Sequence, residues 1–313
     1  MSNVNSSPTI RLATRGSALA LAQASVVARA IQAAQPGIAV EYLIVRTTAD
    51  KNPSVSVRQL GDKAVFVKEI EDAILSGAAD AGVHSVKDLP GTLPPGLELA
   101  AIVQRDDPHD ALVTTGPASL GELPRNPRIA TASLRRAGQI RRLRPDAQIQ
   151  AIRGNVDTRL RKLRSGEFDA LIVAVAGLRR LGISDPSTPW LALESLIPAP
   201  GQGALGVEAP ADSPFSGIWQ TINLPTEREC IRAEREFTRA IGADCHTPVG
   251  CHCSIASNGS LEIRAMICSA DGSEYLETMK TGAADAPLIV AQQAAADLLS
   301  RGAAKILEAA RKS

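Results

Sequence analysis

The chain has 313 residues, more than one hydrophobic core usually organises, so its length predicts two or three domains. Hydrophobic residues make up 44% and charged residues 21%, a balance that excludes an intrinsically disordered chain. The net charge of +1 gives no support for bulk attraction to nucleic acid or to a membrane, and neither partner is predicted.

The N-terminal segment and the cysteine content together predict a cytoplasmic protein. The chain begins MSNVNSSPTI, which has neither the basic nor the apolar region of an export signal. The longest apolar stretch, Ala170 to Leu178, is too short to span a bilayer. Five cysteines, an odd number, favour free thiols over a disulfide framework.

Strand-like runs alternate with helical patterns through the N-terminal two thirds of the chain. TIRLAT, VEYLIVRT and DAGVHSV are separated by helical segments, which is typical of a mostly parallel sheet. The alternation restarts after QRDDPHD with ALVTTG, RIATAS, QIQAIR and ALIVAVAGL, so a second α/β unit is predicted. Breaks at Asp107-Pro108 and in IPAPGQG disfavour helix before their prolines and are the predicted crossovers.

The C-terminal part of the chain has a different pattern. A helix near Glu227 to Ile241 precedes the strands CHCSIA and LEIRAMICS, and the Asn258-Gly259 pair between them is a strong hairpin signal. The strand EYLETMKT and an alanine-rich helix from about Pro287 complete a small antiparallel α+β domain. No internal repeat of fixed period is found. The predicted domains are residues 1–103 with 201–222, residues 104–200, and residues 223–313.

The segment Ser133-Leu134-Arg135-Arg136 follows a strand and opens a helix, with Ser133 suited to the N-cap. Arginines in a first helical turn face the positive end of the helix dipole, which costs about 0.3 to 1 kcal/mol each. An anion should offset that cost, so the two guanidiniums and the helix N–H groups predict a carboxylate or phosphate site. The alternative is a pair of solvated surface arginines.

The segment IRGNVDTRLRKL repeats this arrangement. A strand ends at Arg153, Asn155 can cap the next helix, and an apolar stripe follows. Arg161 lies opposite the stripe and is predicted to face solvent, whereas Arg159 lies at its edge and can reach an anion beside Arg153. The alternative is that the Arg159 stem covers apolar surface.

The motif HSVKDLP ends a short strand, and ligand sites in parallel α/β sheets gather at the carboxyl ends of strands. Asp88 is therefore a candidate catalytic carboxylate that could stabilise positive charge in a transition state. The alternative is that Asp88 pairs with Lys87 or caps a turn.

The cysteines and histidines near residue 250 allow two interpretations. Cys245-His246 and Cys251-His252-Cys253 contain zinc-ligand residue types, but no C-x-x-C spacing is present, and Cys251 and Cys253 would share one strand face. Cys245 precedes that strand in a loop, where an accessible thiolate could perform nucleophilic or covalent chemistry. We therefore predict no metal, and zinc remains the alternative.

Eight motifs occur in one order along residues 9 to about 255: ATRGSALALAQA, FVKEIEDAILSG, HSVKDLP, ATASLRRAGQI, RGNVDTRLRKL, DALIVAVAGLRRLG, PGQGALG and CHTPVG. Together they resemble the porphobilinogen deaminase (hydroxymethylbilane synthase) family, and the ordered set is more specific than any single motif. The resemblance implies an α/β fold with two periplasmic-binding-protein-like lobes of mostly parallel sheets. It also implies a small C-terminal α+β domain with a three-stranded antiparallel sheet.

The resemblance further implies a transferase of tetrapyrrole and heme biosynthesis. The family joins four porphobilinogen molecules head to tail into hydroxymethylbilane and releases ammonia each time. Its covalent cofactor is a dipyrromethane primer held by a thioether, for which Cys245 is the matching thiol, and Asp88 matches the catalytic carboxylate. The residues implied to bind the cofactor are Lys87, Asp88, Ser133, Arg135 and Arg136. The residues implied to bind substrate are Arg15, Ser17, Arg153, Arg159 and Gln202.

The chain departs from the family pattern in one loop. Gly61-Asp62-Lys63-Ala64 stands where the family usually has G-G-K-G, and Thr48-Ala49-Asp50 stands where it has T-x-G-D. Loss of glycines predicts a stiffer loop. We interpret the region as a lid that includes Asp50 and Lys63.

The main rival class is a non-catalytic two-lobed binding protein for anionic small molecules. A protein of this class is expected to carry an export signal, and it has no use for Cys245. The family resemblance instead implies porphobilinogen as the small-molecule partner and a monomer as the working state.

Overall fold

The computed structural model describes residues 8–46, 67–184, 189–243 and 247–312. The chain divides into two compact units, Met1–Arg105 with Ala204–Arg228, and Asp106–Gly203 with Glu229–Ser313. The three-domain division expected from the sequence stays a prediction. Within the described ranges, no helix combines the length and the apolar composition needed to cross a bilayer.

The first unit is built on a five-stranded sheet of order β2-β1-β3-β10-β4. Helix α1 begins after Ser17, whose hydroxyl accepts a hydrogen bond from the Ala20 N–H, and it buries an apolar stripe that ends at Ile31. The elements are β1 (Thr9–Arg15), α1 (Ala18–Ala34), β2 (Ala39–Val45), α2 (Lys68–Leu75), β3 (Ala81–Ser85), β4 (Leu97–Arg105), β10 (Ala204–Pro210) and α6 (Ser216–Ile222).

The second unit contains a five-stranded sheet of order β7-β6-β8-β5-β9. Its central strand β8 has the sequence ALIVA, apolar throughout, as expected of a strand buried on both faces. The elements are β5 (Asp110–Thr114), β6 (Arg128–Ala130), α3 (Leu134–Leu143), β7 (Gln148–Gln150), α4 (Val156–Arg164), β8 (Ala170–Ala174), α5 (Val175–Arg180) and β9 (Trp190–Leu193).

In each of these sheets one strand runs against the other four. β10 is antiparallel to both β3 and β4, and β5 is antiparallel to both β8 and β9, whereas the remaining pairs are parallel. Four of the five strands in each sheet therefore run in one direction, as predicted, but both sheets are mixed, because two of the four pairings in each are antiparallel. The reversed strand in each sheet is the one by which the chain enters that unit from the other, β5 after β4 and β10 after β9.

A third sheet of order β11-β12-β13 is antiparallel throughout, as predicted. The expected turn at Asn258-Gly259 joins its first two strands, and Gly259 has the positive φ of 81° that such a turn requires. An apolar core around Phe237 and Leu298 packs helices against this sheet. The elements are α7 (Pro225–Ala240), β11 (Val249–Ile255), β12 (Leu261–Cys268), β13 (Tyr275–Gly282), α8 (Pro287–Ser300) and α9 (Ala303–Lys312).

Each of the two five-stranded sheets contains an arginine–aspartate contact of the same kind, here called a clamp. The backbone N–H, Nε and Nη2 of Arg11 all bond to the Asp80 carboxylate, and Arg128 binds Asp169 in the same way. In both clamps the arginine lies near the start of the second strand of its sheet, β1 or β6, and the aspartate immediately precedes the parallel neighbour, β3 or β8. The correspondence does not appear in the sequence as a repeat of fixed period, because the segments between the equivalent strands differ in length.

Candidate functional site

Asp88 lies at the carboxyl end of β3, as the sequence predicted. The strand ends at Ser85, and a single helical turn, Val86–Asp88, closes with a hydrogen bond from the Leu89 N–H to the Val86 carbonyl. Val86 and Leu89 are buried, so the turn is anchored on both sides while the Asp88 side chain is exposed. Among the described residues, the Asp88 carboxylate has no hydrogen-bond or ion-pair partner. The neighbouring Lys87 is half-buried.

Arg15 and Ser17 lie where β1 leads into α1. Both side chains are half-buried, and Ser17 caps the helix, so its position is fixed by the backbone. Further along this helix, the buried Gln23 donates a 2.7 Å hydrogen bond to the hydroxyl of Ser85. This contact ties α1 to the end of β3. Sequence reasoning missed Gln23, because a glutamine in an alanine-rich helix gives no local signal of burial.

Arg135 and Arg136 are buried, with 3% and 8% of their surfaces exposed, which excludes the alternative of two solvated arginines. Both bind Asp110, which is completely buried. Arg135 Nη1 lies 2.7 Å from Asp110 Oδ2, and Arg136 Nε donates to Asp110 Oδ1 at 2.9 Å. The protein itself therefore supplies one anionic partner, Asp110, for the two arginines. Ser133 caps α3, as predicted, by accepting from the Arg136 N–H.

Gln202 belongs to the same buried cluster. Its amide nitrogen donates to Asp110 Oδ1 at 2.9 Å and to the Pro108 carbonyl at 2.6 Å. Burial alone would raise the pKa of Asp110, but the charges of Arg135 and Arg136 outweigh burial and hold that pKa well below its usual range. Asp110 is therefore ionised at neutral pH, and its stabilising contribution is lost only as the pH falls through this lowered pKa.

Asp110 itself was not anticipated. The segment contains three aspartates, Asp106, Asp107 and Asp110. Of these, Asp110 is the buried one, because β5 begins at this residue, and the sequence does not reveal where that strand begins.

Arg153 and Arg159 lie around the start of α4. Asn155 caps this helix as predicted, with Oδ1 accepting from the Thr158 N–H. Arg159 is half-buried and its Nε donates to the Gly154 carbonyl at 2.8 Å, while Arg161 is exposed as predicted. Gly154 has a φ of 97°, which lets the chain turn sharply between Arg153 and the helix.

Three further sequence-derived candidates lie outside the described residues: Asp50, Lys63 and Cys245. The interpretation of a lid and the attachment of a cofactor to Cys245 therefore stay predictions.

The other four cysteines are buried, including Cys251 and Cys253, which share the inner face of β11. Among the described residues, no group of three or more potential ligands is arranged to hold a metal ion. Burial raises the pKa of the Cys268 thiol to about 12, so this cysteine stays protonated and unreactive near neutral pH.

Comparison with known proteins identifies the family. A family model described as "Porphobilinogen deaminase, dipyromethane cofactor binding domain" matches residues 10–215, and its "C-terminal domain" counterpart matches residues 228–300. The porphobilinogen deaminase of Syntrophobacter fumaroxidans is 42% identical over 300 residues, covering 96% of this chain and 97% of that protein. The porphobilinogen deaminase of Sorangium cellulosum is 45% identical over 265 residues, covering 84% and 88%.

Solved structures give more distant likenesses. The periplasmic VFT2 domain of BvgS from Bordetella pertussis is 16% identical, with a TM-score of 0.42, and the match covers 69% of this chain and 87% of that one. Family models and relatives alike span nearly the whole sequence. The chain therefore belongs to the porphobilinogen deaminase (hydroxymethylbilane synthase) family of transferases.

Proposed function

We propose that this chain joins four porphobilinogen molecules head to tail into hydroxymethylbilane, with Asp88 as the catalytic carboxylate and a dipyrromethane on Cys245 as the primer. The observation that carries the proposal is the exposed Asp88 carboxylate, without a partner among the described residues, in a chain of this family. A non-catalytic binding protein for anionic small molecules would have no need of a carboxylate held in this way.

The chemistry of the substrate explains the role proposed for Asp88. Each condensation breaks the bond between the aminomethyl carbon of porphobilinogen and its nitrogen, so ammonia leaves and a cationic methylene-pyrrole remains. A fixed carboxylate stabilises such a cation and can accept a hydrogen bond from the pyrrole N–H. The anchored turn after β3 holds Asp88 for this purpose without reorganisation of the backbone.

The arginines suit the side groups of the substrate. Every pyrrole carries an acetate and a propionate, and a charge-assisted hydrogen bond to a carboxylate contributes about 1.5 to 3 kcal/mol. We assign substrate carboxylates to Arg15, Ser17, Arg153 and Arg159, which are half-buried and lie around the starts of α1 and α4. Gln202 is fully buried and already bonded to Asp110, so we assign its contribution to holding that cluster in place.

The described residues also fit a dipyrromethane cofactor. Ser133, Arg135 and Arg136 form the first turn of α3, and the two arginines with Asp110 sum to a charge of +1, the sign that an anionic group requires. These residues and Lys87 would hold the acetate and propionate groups, and Cys245 would provide the covalent link. When bound, the cofactor supplies the pyrrole end that is extended. We extend the proposal to a monomer, as the resemblance implies, and to the cytoplasm as its location, as the sequence predicts.

An assay with porphobilinogen tests the proposed function. The purified protein should release one ammonia for each porphobilinogen consumed and should form hydroxymethylbilane. Binding of porphobilinogen without release of ammonia would favour the non-catalytic alternative.

Two arginines of α4 provide a matched test of carboxylate binding. Arg159→Leu should lower kcat/KM about 10 to 100-fold, the value of one charge-assisted hydrogen bond. Arg161→Leu removes the same charge from the exposed face of the same helix and should change kcat/KM less than about twofold. Equal losses in the two variants would show that the helix face is assigned wrongly.

A further inference from the structure

The two five-stranded sheets can be compared residue by residue through their hydrogen-bond registers. β3 lies between a parallel and an antiparallel neighbour, β1 and β10, just as β8 lies between β6 and β5. Ala81 pairs with the residue that follows Arg11, and Ala170 pairs with the residue that follows Arg128. The two clamps thus align β3 with β8, and the pairings of β10 with β3 and of β5 with β8 then align β10 with β5.

This alignment places different residues at equivalent positions on the two sheets. His84 and Val173 correspond, and so do Glu208 and Val113, because Glu208 pairs with Gly82 as Val113 pairs with Leu171. Polar residues thus stand in the first unit at positions where the second unit has valines.

His84 and Glu208 form a buried polar pair. His84 Nε2 and Glu208 Oε2 lie 3.0 Å apart, with 4% and 0% of the two residues exposed. The imidazole lies across Gly82, where an added Cβ would come within 2.8 Å of Nε2. Ile70 and Ile74 of α2 flank the same spot, so the pair sits in apolar surroundings.

The fold does not require this pair. In the second unit Val113 and Val173 fill the equivalent positions and belong to a continuous apolar cluster. Moreover, neither carboxylate oxygen of Glu208 has an aligned hydrogen-bond donor among the described residues. Buried polar groups without hydrogen-bond partners lower the free energy of unfolding. Proteins in which apolar residues replace a buried ion pair are often as stable as the original or more stable. A structural role alone does not explain why the pair is present.

The position of the pair suggests its role. Four residues beyond His84 lies Asp88, whose equivalent in the second unit is Gly177. The opposite difference occurs at another pair of equivalent positions. Here the first unit has the apolar Leu205, and the second unit has Asp110, the partner of Arg135. Each of the two sheets thus carries buried polar residues, at positions where the other sheet has apolar ones, close in sequence or in space to a functional group proposed for its own unit.

We propose that His84 and Glu208 are positioning residues that pin the end of β3 to β10 and thereby hold the Asp88 turn in its productive place. This role depends on the proposed catalytic role of Asp88. Neither residue touches the substrate. Their effect is on the placement of the carboxylate, and a misplacement of about 1 Å can cost up to roughly 100-fold in rate.

A double-mutant cycle between Glu208 and Asp88 tests the proposal. Glu208→Gln keeps the shape and removes the charge, and it should lower kcat about tenfold with KM changed less than about twofold. In the Asp88→Asn background the same substitution should change the residual rate less than about twofold, because the group that it positions is already disabled. Additive losses, or a Glu208→Gln enzyme of normal kcat, would overturn the positioning role. If Asp88→Asn alone has no effect, the proposed function is at fault instead.

An apolar replacement separates positioning from stability. The double variant His84→Leu/Glu208→Leu should unfold at or above the wild-type Tm, as the valines of the second unit lead us to expect, yet show the same loss of kcat. Wild-type turnover in this variant would also overturn the proposal. Val207→Ala is the matched control: it opens a cavity in the same strand on the apolar cluster, so it should lower Tm without changing kcat.

Discussion

Replacing Asp88 by asparagine is expected to lower turnover about 100 to 1,000-fold while the fold and the covalent primer are retained. Asparagine has nearly the same size and polarity, so the anchored turn between Val86 and Leu89 should be preserved. What is lost is the negative charge that stabilises the cationic methylene-pyrrole. Single-turnover measurements of ammonia release would report this step directly.

Asp212 provides the control for that experiment. It is an exposed aspartate in the turn after β10, at the opposite end of that strand from Leu205, which pairs with Ser85 at the end of β3. Asp212→Asn removes the same charge. Its turnover should stay within about twofold of wild type, as is usual for surface substitutions. Activity of Asp88→Asn near that of the control would reject Asp88 as the catalytic carboxylate.

The position of Asp88 could be predicted from the sequence because it depends on local signals. A strand-like run, DAGVHSV, is followed by the polar pair Lys87-Asp88 and then by Leu89-Pro90, which is the pattern of a strand that ends at a ligand-binding edge. The caps at Ser133 and Asn155 were predictable for the same reason, since each satisfies the N–H groups of its own helix.

The buried clusters could not be predicted, because their members are far apart in the sequence. The dipole argument required an anion near Arg135 and Arg136, but only the register of β5 against β8 brings Asp110 beneath them. Likewise, nothing near His84 in the chain points to Glu208, which returns on β10. The antiparallel direction of β5 and β10 could not be predicted from the sequence either, because the crossovers between the two units determine it and local residues do not.

Replacing Cys245 by serine is expected to give a protein without a normally attached primer and with turnover reduced by at least about 1,000-fold. A growing polyanion held by ion pairs alone can dissociate between cycles, whereas a covalent link makes each addition intramolecular, with effective molarities that reach about 10⁵ to 10⁸ M. The measurements are the intact mass of the variant and its rate of hydroxymethylbilane formation.

Cys253→Ala is the matched control for that substitution. Cys253 is buried in the C-terminal core, so its loss should lower Tm through a small cavity. Primer content and turnover should remain those of the wild type. A metal that is present in stoichiometric amount and is lost with Cys253 would instead favour the zinc interpretation.

The most direct measurement is the mass of the wild-type protein purified from cells that synthesise porphobilinogen. We predict the mass of the sequence plus two linked pyrrole units, and a peptide containing Cys245 should carry all of the added mass. The other four cysteines are buried and should be found unmodified. An unmodified protein that is nevertheless fully active in forming hydroxymethylbilane would contradict the covalent primer.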